Sequence, residues 1–185
     1  MDSNKHIETR SRELEFPRAP FIAAKFQCDR VNLSNTRVTD AGLAHFAECP
    51  TLTALNLSNT DVTDAGLAQF RFCKLLTALN LGNTQVSDAG MIHFADCREL
   101  TYLNLGNTQV SDAGLANFKD CTALTHLGLG QTKVGDLALI QLKECKNLSV
   151  LDVQNTRVTS GKIAELKKAL PQCRIVSASI DPKRK

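Results

Sequence analysis

Three rows of residues with reactive side chains recur at a fixed interval of 24 positions along the chain. They are the thiols Cys49, Cys73, Cys97, Cys121 and Cys145, the carboxylates Asp40, Asp64, Asp88, Asp112 and Asp136, and the hydroxyls Thr36, Thr60, Thr84, Thr108, Thr132 and Thr156. Thiols and carboxylates bind metals or transfer protons where several of them converge on one point. A row with a constant interval is linear, so we expect no metal site and no catalytic residues in these rows.

Each row has a structural interpretation instead. Stacked cysteines are typical of small apolar side chains in a core, and stacked threonines of hydroxyls that bond backbone groups where a strand ends. The aspartates follow predicted helix-capping residues, where the helix dipole favours a carboxylate. These capping residues are Thr39, Thr63, Ser87 and Ser111. Cys28 and Cys173 lie outside the thiol row, and we expect them to be the more reactive thiols.

The remaining residues complete no catalytic set. His45 and His93 occupy the same position in two repeats, and we expect both to lie in solvent. The pair Gly128 and Gly130 opens no helix with a lysine, so it does not form a phosphate-binding loop. We therefore expect a chain that is not an enzyme and that needs no cofactor.

A repeat of 24 residues supplies the elements that position these rows. Six copies begin at positions 31, 55, 79, 103, 127 and 151, and Ile175 stands where a seventh would begin. Leu55 and Leu57 alternate with small or polar residues, which predicts a strand with one buried face. Apolar residues three positions apart, such as Leu67 and Phe70, predict a helix that packs against the strand.

Stacked copies predict an α/β solenoid. A single copy cannot bury its own apolar face, whereas stacked copies share one continuous core. Parallel strands stack about 4.8 Å apart and helices are about 10 Å wide, so the array curves with the sheet on the inside. We call this inner sheet surface, which points away from the helices, the concave face.

Three columns of side chains are predicted on the concave face. The first is Arg30, Ala54, Ala78, Tyr102, His126, Val150 and Arg174, the second is Asn32, Asn56, Asn80, Asn104, Gly128 and Asp152, and the third is Ser34, Ser58, Gly82, Gly106, Gly130 and Gln154. Stacking alone requires neither Tyr102 nor His126, and aromatic side chains give contact area at a low entropy cost. We predict a partner-binding site of Tyr102, His126, Asn80, Asn104 and Asp152. The alternative is unselected variation on an exposed sheet.

The chain resembles a leucine-rich repeat in its pattern Leu52-x-x-Leu55-x-Leu57-x-x-Thr60-x-Val62-Thr63-Asp64-x-Gly66-Leu67. It is similar to a bacterial subtype that has Thr in place of the usual Asn or Cys, and Cys49-Pro50 is similar to the cysteine-containing subtype. The resemblance covers about residues 28–176. It implies a right-handed solenoid with a parallel β-sheet on the concave face and α-helices on the convex face.

The resemblance is hardly specific for function, and our first hypothesis is a non-catalytic protein–protein interaction module that binds a protein partner through the concave sheet. The alternatives are an architectural or regulatory arm of a larger signalling protein, for example one associated with a Ser/Thr kinase, or a substrate receptor of the ubiquitin-ligase type. The repeat is shorter than that of the cysteine-containing subtype, and residues 1–27 are short and polar for an adaptor-binding segment. Both features disfavour the substrate receptor.

Charge and composition limit the remaining classes of function. The net charge is +3, and the excess of basic residues is confined to residues 157–185, so we expect no nucleic-acid partner. The sequence has neither an apolar run of about 18 residues nor an apolar leader, so we expect no membrane association and a cytoplasmic location with reduced thiols. We divide the chain into an N-terminal tail and cap (1–27), the repeat array (28–176) and a basic C-terminal tail (177–185), and we expect a monomer.

Overall fold

The computed structural model describes residues 7–8, 28–47 and 49–177. In these residues, eight parallel strands form one sheet in chain order. The strands are β1 Ile7–Glu8, β2 Arg30–Asn32, β3 Ala54–Asn56, β4 Ala78–Asn80, β5 Tyr102–Asn104, β6 His126–Gly128, β7 Val150–Asp152 and β8 Arg174–Val176. Each predicted copy begins at the central residue of a strand from β2 to β7, and Ile175 is the centre of β8. The predicted solenoid with a parallel sheet is therefore confirmed.

The sheet is in register from end to end, because each strand pairs with residues 24 positions further along the chain. Leu55 pairs with Leu79, and Leu79 pairs with Leu103. The central residue of each strand from β2 to β7 is buried, whereas the residues on either side of it are exposed or half-buried. This alternation places one face of the sheet in the core and leaves the other face open.

Short helices cover the core on the convex side. They are α1 Asp40–Leu43, α2 Asp64–Leu67, α3 Asp88–Met91, α4 Asp112–Leu115, α5 Asp136–Gln141 and α6 Ser160–Ala169. Each of the first five continues into a 3₁₀ turn of three residues. The predicted apolar pair is divided between the two, since Leu67 lies in α2 and Phe70 in the 3₁₀ turn that follows it.

The core is a stack of equivalent layers. Leu55, Leu57, Val62, Leu67 and Phe70 of one repeat are at most 1% exposed. The equivalent residues of the following repeats lie directly above them and form one continuous cluster. Because every layer is covered by its neighbours, burial depends on stacking more than on any single repeat.

A left-handed residue ends each strand segment, which the sequence analysis did not identify. Asn35, Asn59, Asn83, Asn107, Gln131 and Asn155 have positive φ angles between 53° and 59°. Asparagine tolerates this conformation better than most residues because its short side chain bonds locally. The row of asparagines therefore lets the chain turn sharply out of the sheet, and Gln131 is the exception to the row.

The threonine row fixes the same turn. Thr84 Oγ1 donates to the Leu81 carbonyl at 2.6 Å, and the other five threonines of the row make the equivalent bond. The predicted role of this row, a hydroxyl bonded to backbone where the strand ends, is confirmed.

The aspartate row links each repeat to the next one. Asp64 Oδ1 accepts from the Ser87 backbone N–H at 2.8 Å, and Asp64 Oδ2 accepts from Ser87 Oγ at 2.5 Å. Asp40 bonds Thr63, Asp88 bonds Ser111 and Asp136 bonds Thr159 in the same way. The sequence analysis placed these carboxylates at helix N-termini, which is correct, but it missed that they clamp the helix cap of the following repeat.

The cysteine row is buried, as expected. Cys73, Cys97 and Cys121 each direct Sγ at the carbonyl of the preceding cysteine, at 3.2 to 3.3 Å. Burial raises the pKa of Cys97 and of Cys121 to about 12. Cys28 and Cys173 are also buried, and the expectation that they are more reactive than the row stays a prediction. Burial raises the pKa of Cys173 as well.

The sheet extends beyond the predicted start of the array. Ile7 pairs with Val31, and Glu8 pairs with Asn32, so β1 continues the same register one strand before residue 28. The rest of the predicted tail and cap, like most of the basic C-terminal tail, lies outside the described residues. Among the described residues, no helix has the length and apolar character needed to cross a membrane.

Candidate binding face

The concave face presents the predicted columns, because the strands are in register. Pairing runs from Arg30 through Ala54, Ala78, Tyr102, His126 and Val150 to Arg174. The second column lies two residues further along each strand and includes Asn80 and Asn104. These side chains alternate with the buried central leucines, so they point away from the core.

Tyr102 and His126 are neighbours on this face. Their ring centroids are 6.4 Å apart and their planes are tilted by 33°. This separation falls within the range in which aromatic rings attract one another. Tyr102 remains 40% exposed, so the pair forms a raised aromatic patch that a partner can contact.

A hydrogen bond orients the His126 ring. His126 Nδ1 lies 2.9 Å from Thr125 Oγ1, and Thr125 Oγ1 donates its hydrogen to the Thr101 carbonyl at 2.9 Å. In either tautomer of the ring, the contact between Nδ1 and Oγ1 orients the imidazole.

Asn80 and Asn104 are joined to each other and to the turn that follows their strands. Asn104 Nδ2 donates to Asn80 Oδ1 at 3.0 Å. Each Oδ1 also accepts from the backbone N–H two residues further on, that of Gly82 at 3.1 Å and that of Gly106 at 3.0 Å. A Cβ at Gly128 would lie 2.6 Å from Asn104 Oδ1, so a larger residue there would require the Asn104 side chain to move.

Asp152 lies on the strand next to that of His126. It stands in β7, and Gly128 separates it from Asn104 in the second column. Its Oδ1 accepts from the Gln154 backbone N–H at 2.9 Å. The structure therefore brings Tyr102 and His126 together and Asn80 and Asn104 together, while Asp152 makes no hydrogen bond to any of them within the described residues.

A hollow that was not predicted from the sequence lies at the other end of the face. It has a volume of about 290 Å³ and lies between Arg30 and Tyr102. The small side chains of Ala54 and Ala78 form its floor, and the amides of the second column form one side. The signal was present in the sequence as two alanines in succession between two large side chains of one column.

The chemical groups of the concave face are suited to contact with another molecule. It offers an aromatic pair, amide groups and one guanidinium beside the hollow. In the part of the chain that the structure describes, no three His, Cys, Asp or Glu side chains are placed to hold a metal ion.

Comparisons with known proteins agree with this architecture. A model of the BspA type leucine-rich repeat region matches residues 39–164 in six copies, which confirms the predicted repeat. A comparison with curated proteins finds no match. Among solved structures, an internalin, InlF of Listeria monocytogenes, is similar with a TM-score of 0.60 and 16% identity over 80% of this chain and 47% of that one.

Two further structures are similar. The functional domain of InlJ from Listeria monocytogenes, which is described as including a cysteine ladder, has a TM-score of 0.59 and 15% identity over 82% of this chain and 30% of that one. The plant peptide hormone receptor RGFR1 in complex with RGF2 has a TM-score of 0.56 and 17% identity over 81% of this chain and 24% of that one. At these identities the likeness shows the fold alone, and the chain spans less than half the length of each of these proteins.

Proposed function

Because the chain belongs to the BspA-type leucine-rich repeat family, we propose that it is a non-catalytic interaction module whose concave face binds a protein partner. The observation that carries this proposal is the aromatic patch of Tyr102 and His126. Both side chains are larger than the two alanines that precede them in the first column, and neither contributes to the buried core. Exposed aromatic side chains of this kind often supply much of the binding energy at protein interfaces.

The similar structures support a binding role in general terms. One of them is a receptor bound to a peptide hormone, and by analogy we propose a protein or peptide partner here. The network around the patch is suited to recognition, because the Thr125 hydroxyl fixes the ring of His126 before any partner arrives. A ring that is already fixed loses little further entropy on binding.

The remaining expectations are proposals of the same kind. We place the protein in the cytoplasm, since its seven cysteines are free thiols and a reducing compartment preserves such thiols. We also propose a monomer that binds neither nucleic acid nor membranes. The alternative of an architectural or regulatory arm stays a prediction, and it differs in requiring no partner on the concave face.

Affinity capture with three forms of the protein tests the proposal. The forms are the unchanged chain, the double variant Tyr102→Ala/His126→Ala and a control with Ile92→Ala/Ile140→Ala, which alters exposed side chains on the convex side. We expect a protein that the unchanged chain and the control retain and that the concave-face variant loses. Circular dichroism and urea unfolding establish that all three forms are folded.

Two results would contradict the proposal. One is equal retention of the same protein by the concave-face variant, and the other is loss of that protein with the convex-face control alone. Retention of no specific protein by any folded form would favour the architectural alternative.

A further inference from the structure

We propose that the hollow between Arg30 and Tyr102 binds an acidic peptide segment, with a carboxylate on Arg30 and an apolar side chain on Ala54 and Ala78. The inference deepens the proposed function, on which it rests, by naming the chemistry of the partner. It follows from the shape of the hollow, from its hydrogen-bonding groups and from its charge.

The shape of the hollow fits one or two side chains of a peptide. Arg30 and Tyr102 stand three strands apart in the same column, and the two residues between them are alanines. With strands spaced about 4.8 Å apart, the distance between the two ends is about 14 Å. The volume of about 290 Å³ is at the lower end of the range for ligand sites.

The polar side of the hollow offers donors, because its acceptors are already used. Asn32 Oδ1 accepts from the Ser34 backbone N–H at 3.1 Å and from Ser34 Oγ at 2.8 Å. Asn56 Oδ1 makes the same two bonds to Ser58.

Asn80 Oδ1 is also occupied, since it accepts from Gly82 and from Asn104. Among the described residues, the Nδ2 groups of Asn32, Asn56 and Asn80 donate to no acceptor. Three amide groups therefore present free N–H donors along one side of the hollow, and a ligand rich in acceptors satisfies them.

The charge of the hollow also favours an acidic ligand. Arg30 is the one charged side chain among the described residues that line it. Asp29 precedes it in the chain, but Arg30 forms no ion pair with any acidic group in the described part of the structure. An exposed guanidinium binds a carboxylate through two parallel hydrogen bonds.

The floor and the far wall are apolar. Ala54 and Ala78 leave the hollow open to an aliphatic or aromatic side chain, and the Tyr102 ring lies beside that side chain. A single guanidinium is too little charge for a nucleic-acid backbone, which is typically bound through several phosphate contacts. The combination therefore fits an acidic peptide that carries an apolar residue next to Asp or Glu.

NMR on the ¹⁵N-labelled chain tests the inference directly. The probe is a pool of blocked hexapeptides in which an Asp-Asp pair adjoins Leu or Phe, used at millimolar concentration, and a second pool with Asn-Asn in its place is the matched control. We expect the side-chain N–H signals of Arg30, Asn56 and Asn80 to shift with the acidic pool. The single tyrosine of the chain, Tyr102, and the absence of Trp also make tyrosine fluorescence specific for this site when the pool contains neither residue.

Three variants locate the binding. Arg30→Gln is expected to weaken binding of the acidic pool by at least about tenfold. Ala78→Leu, which fills the hollow, is expected to abolish the shifts. Arg174→Gln removes the arginine at the opposite end of the same column, and it is expected to leave binding unchanged.

Several outcomes would overturn the inference. They are the absence of shifts with the acidic pool, equal shifts with the neutral pool, equal weakening by Arg30→Gln and Arg174→Gln, or the same shifts with inorganic phosphate alone, which would indicate a simple anion site. Capture of a partner through Tyr102 and His126 without any of the peptide effects would leave the proposed function standing and remove this inference alone.

Discussion

The third and fifth repeats (79–102 and 127–150) solve the same packing problem with different residues. In the third repeat, Asp64 of the preceding copy bonds both the backbone and the hydroxyl of Ser87. In the fifth repeat Gly135 takes the capping position, so Asp112 bonds only backbone groups, the N–H of Gly135 at 2.7 Å and that of Ala138 at 3.2 Å.

The exchange of the capping serine for Gly135 is accompanied by a second one, of Gly90 for Ala138. A Cβ at Gly90 in the third repeat would collide with Asp64 Oδ1 and lie 2.8 Å from Leu67 Cδ1. The fifth repeat has Ala138 at this position, and its helix α5 has six residues instead of four. In these two repeats the three positions vary together, because the carboxylate of Asp64, held by the Ser87 hydroxyl, lies against Gly90, whereas Ala138 is present where Asp112 bonds only backbone groups. The sixth repeat departs from this pattern, since Lys162 stands at the glycine position although Asp136 bonds the Thr159 hydroxyl.

The thiol row also differs between the third and fifth repeats. Of the changes predicted here, a rise in pH is expected to have the largest effect on the stability of the fold. The Sγ-to-carbonyl distance is 3.3 Å for Cys97 and 3.8 Å for Cys145. Burial raises the pKa of Cys97 from 9.0 to about 12. A pKa that is higher in the folded state contributes stability that is complete below pH 9 and is lost as the pH rises towards 12. We expect urea midpoints to fall steeply across this interval.

Variants identify the source of that pH dependence. Cys97→Ala and Cys121→Ala are each expected to flatten the decline above pH 9, since the altered chain no longer holds that proton. The matched control Val110→Ala also opens a space in the core but removes no thiol, and we expect it to keep the original slope. An unchanged slope in both cysteine variants would contradict the explanation.

Removal of a carboxylate clamp is expected to have the next largest effect on the free energy of unfolding. Asp88→Ala removes two acceptors from Ser111 and leaves a half-buried backbone N–H without a partner, so we expect a loss of about 2–3 kcal/mol in the free energy of unfolding. Asp136→Ala removes the same bonds to Thr159 at a more exposed junction, where water replaces them, and we expect about 1 kcal/mol or less. Urea unfolding measures both, and equal losses would show that burial of the clamp is irrelevant.

Replacement of Gly90 is expected to lower the free energy of unfolding slightly less than removal of a clamp does. Gly90→Ala forces a methyl group against Asp64, and we expect a loss of about 1–3 kcal/mol in spite of the better helix propensity of alanine. Gly161→Ala is the matched control, because a Cβ there lies 3.9 Å from its nearest neighbour, Thr159 Oγ1. The control is expected to be neutral or to stabilise by about 0.5–1 kcal/mol. A neutral Gly90→Ala would disprove the steric argument.

The smallest effect concerns the left-handed turn of the fifth repeat. Gln131 has a φ angle of 59° where the other copies have asparagine, so Gln131→Asn is expected to stabilise by up to about 1 kcal/mol. The reverse exchange, Asn155→Gln in the sixth repeat, is expected to destabilise by a similar amount. Thermal unfolding measures both, and a stabilising Asn155→Gln would count against the explanation.

Most of the fold could be predicted because the period of the sequence is the period of the sheet. Leu55, Leu79 and Leu103 stand 24 positions apart in the chain and pair directly in the structure. The threonine bonds were also predictable, since each joins a hydroxyl to a carbonyl only three residues away and needs no knowledge of the neighbouring repeat.

The clamp and the hollow were harder to foresee. A carboxylate at a helix N-terminus has the same spacing whether it interacts with its own helix or with the next repeat, and only the side-chain orientation of Asp64 distinguishes the two. The hollow depends on what Ala54 and Ala78 lack, and its donor character appears only when the bonds that occupy the Asn32 and Asn56 oxygens are known.

The clamps of the aspartate row also bear on how the array bends. Each carboxylate spans one junction, so no clamp braces the solenoid over a longer distance, and a change of curvature at one junction costs only the bonds of that junction. The junction at Gly135 keeps two bonds as well, because Asp112 bonds the Ala138 backbone N–H in place of a hydroxyl. The most compliant junction of the row is therefore the exposed one between Asp136 and Thr159, and a partner that requires a different arc would be accommodated there.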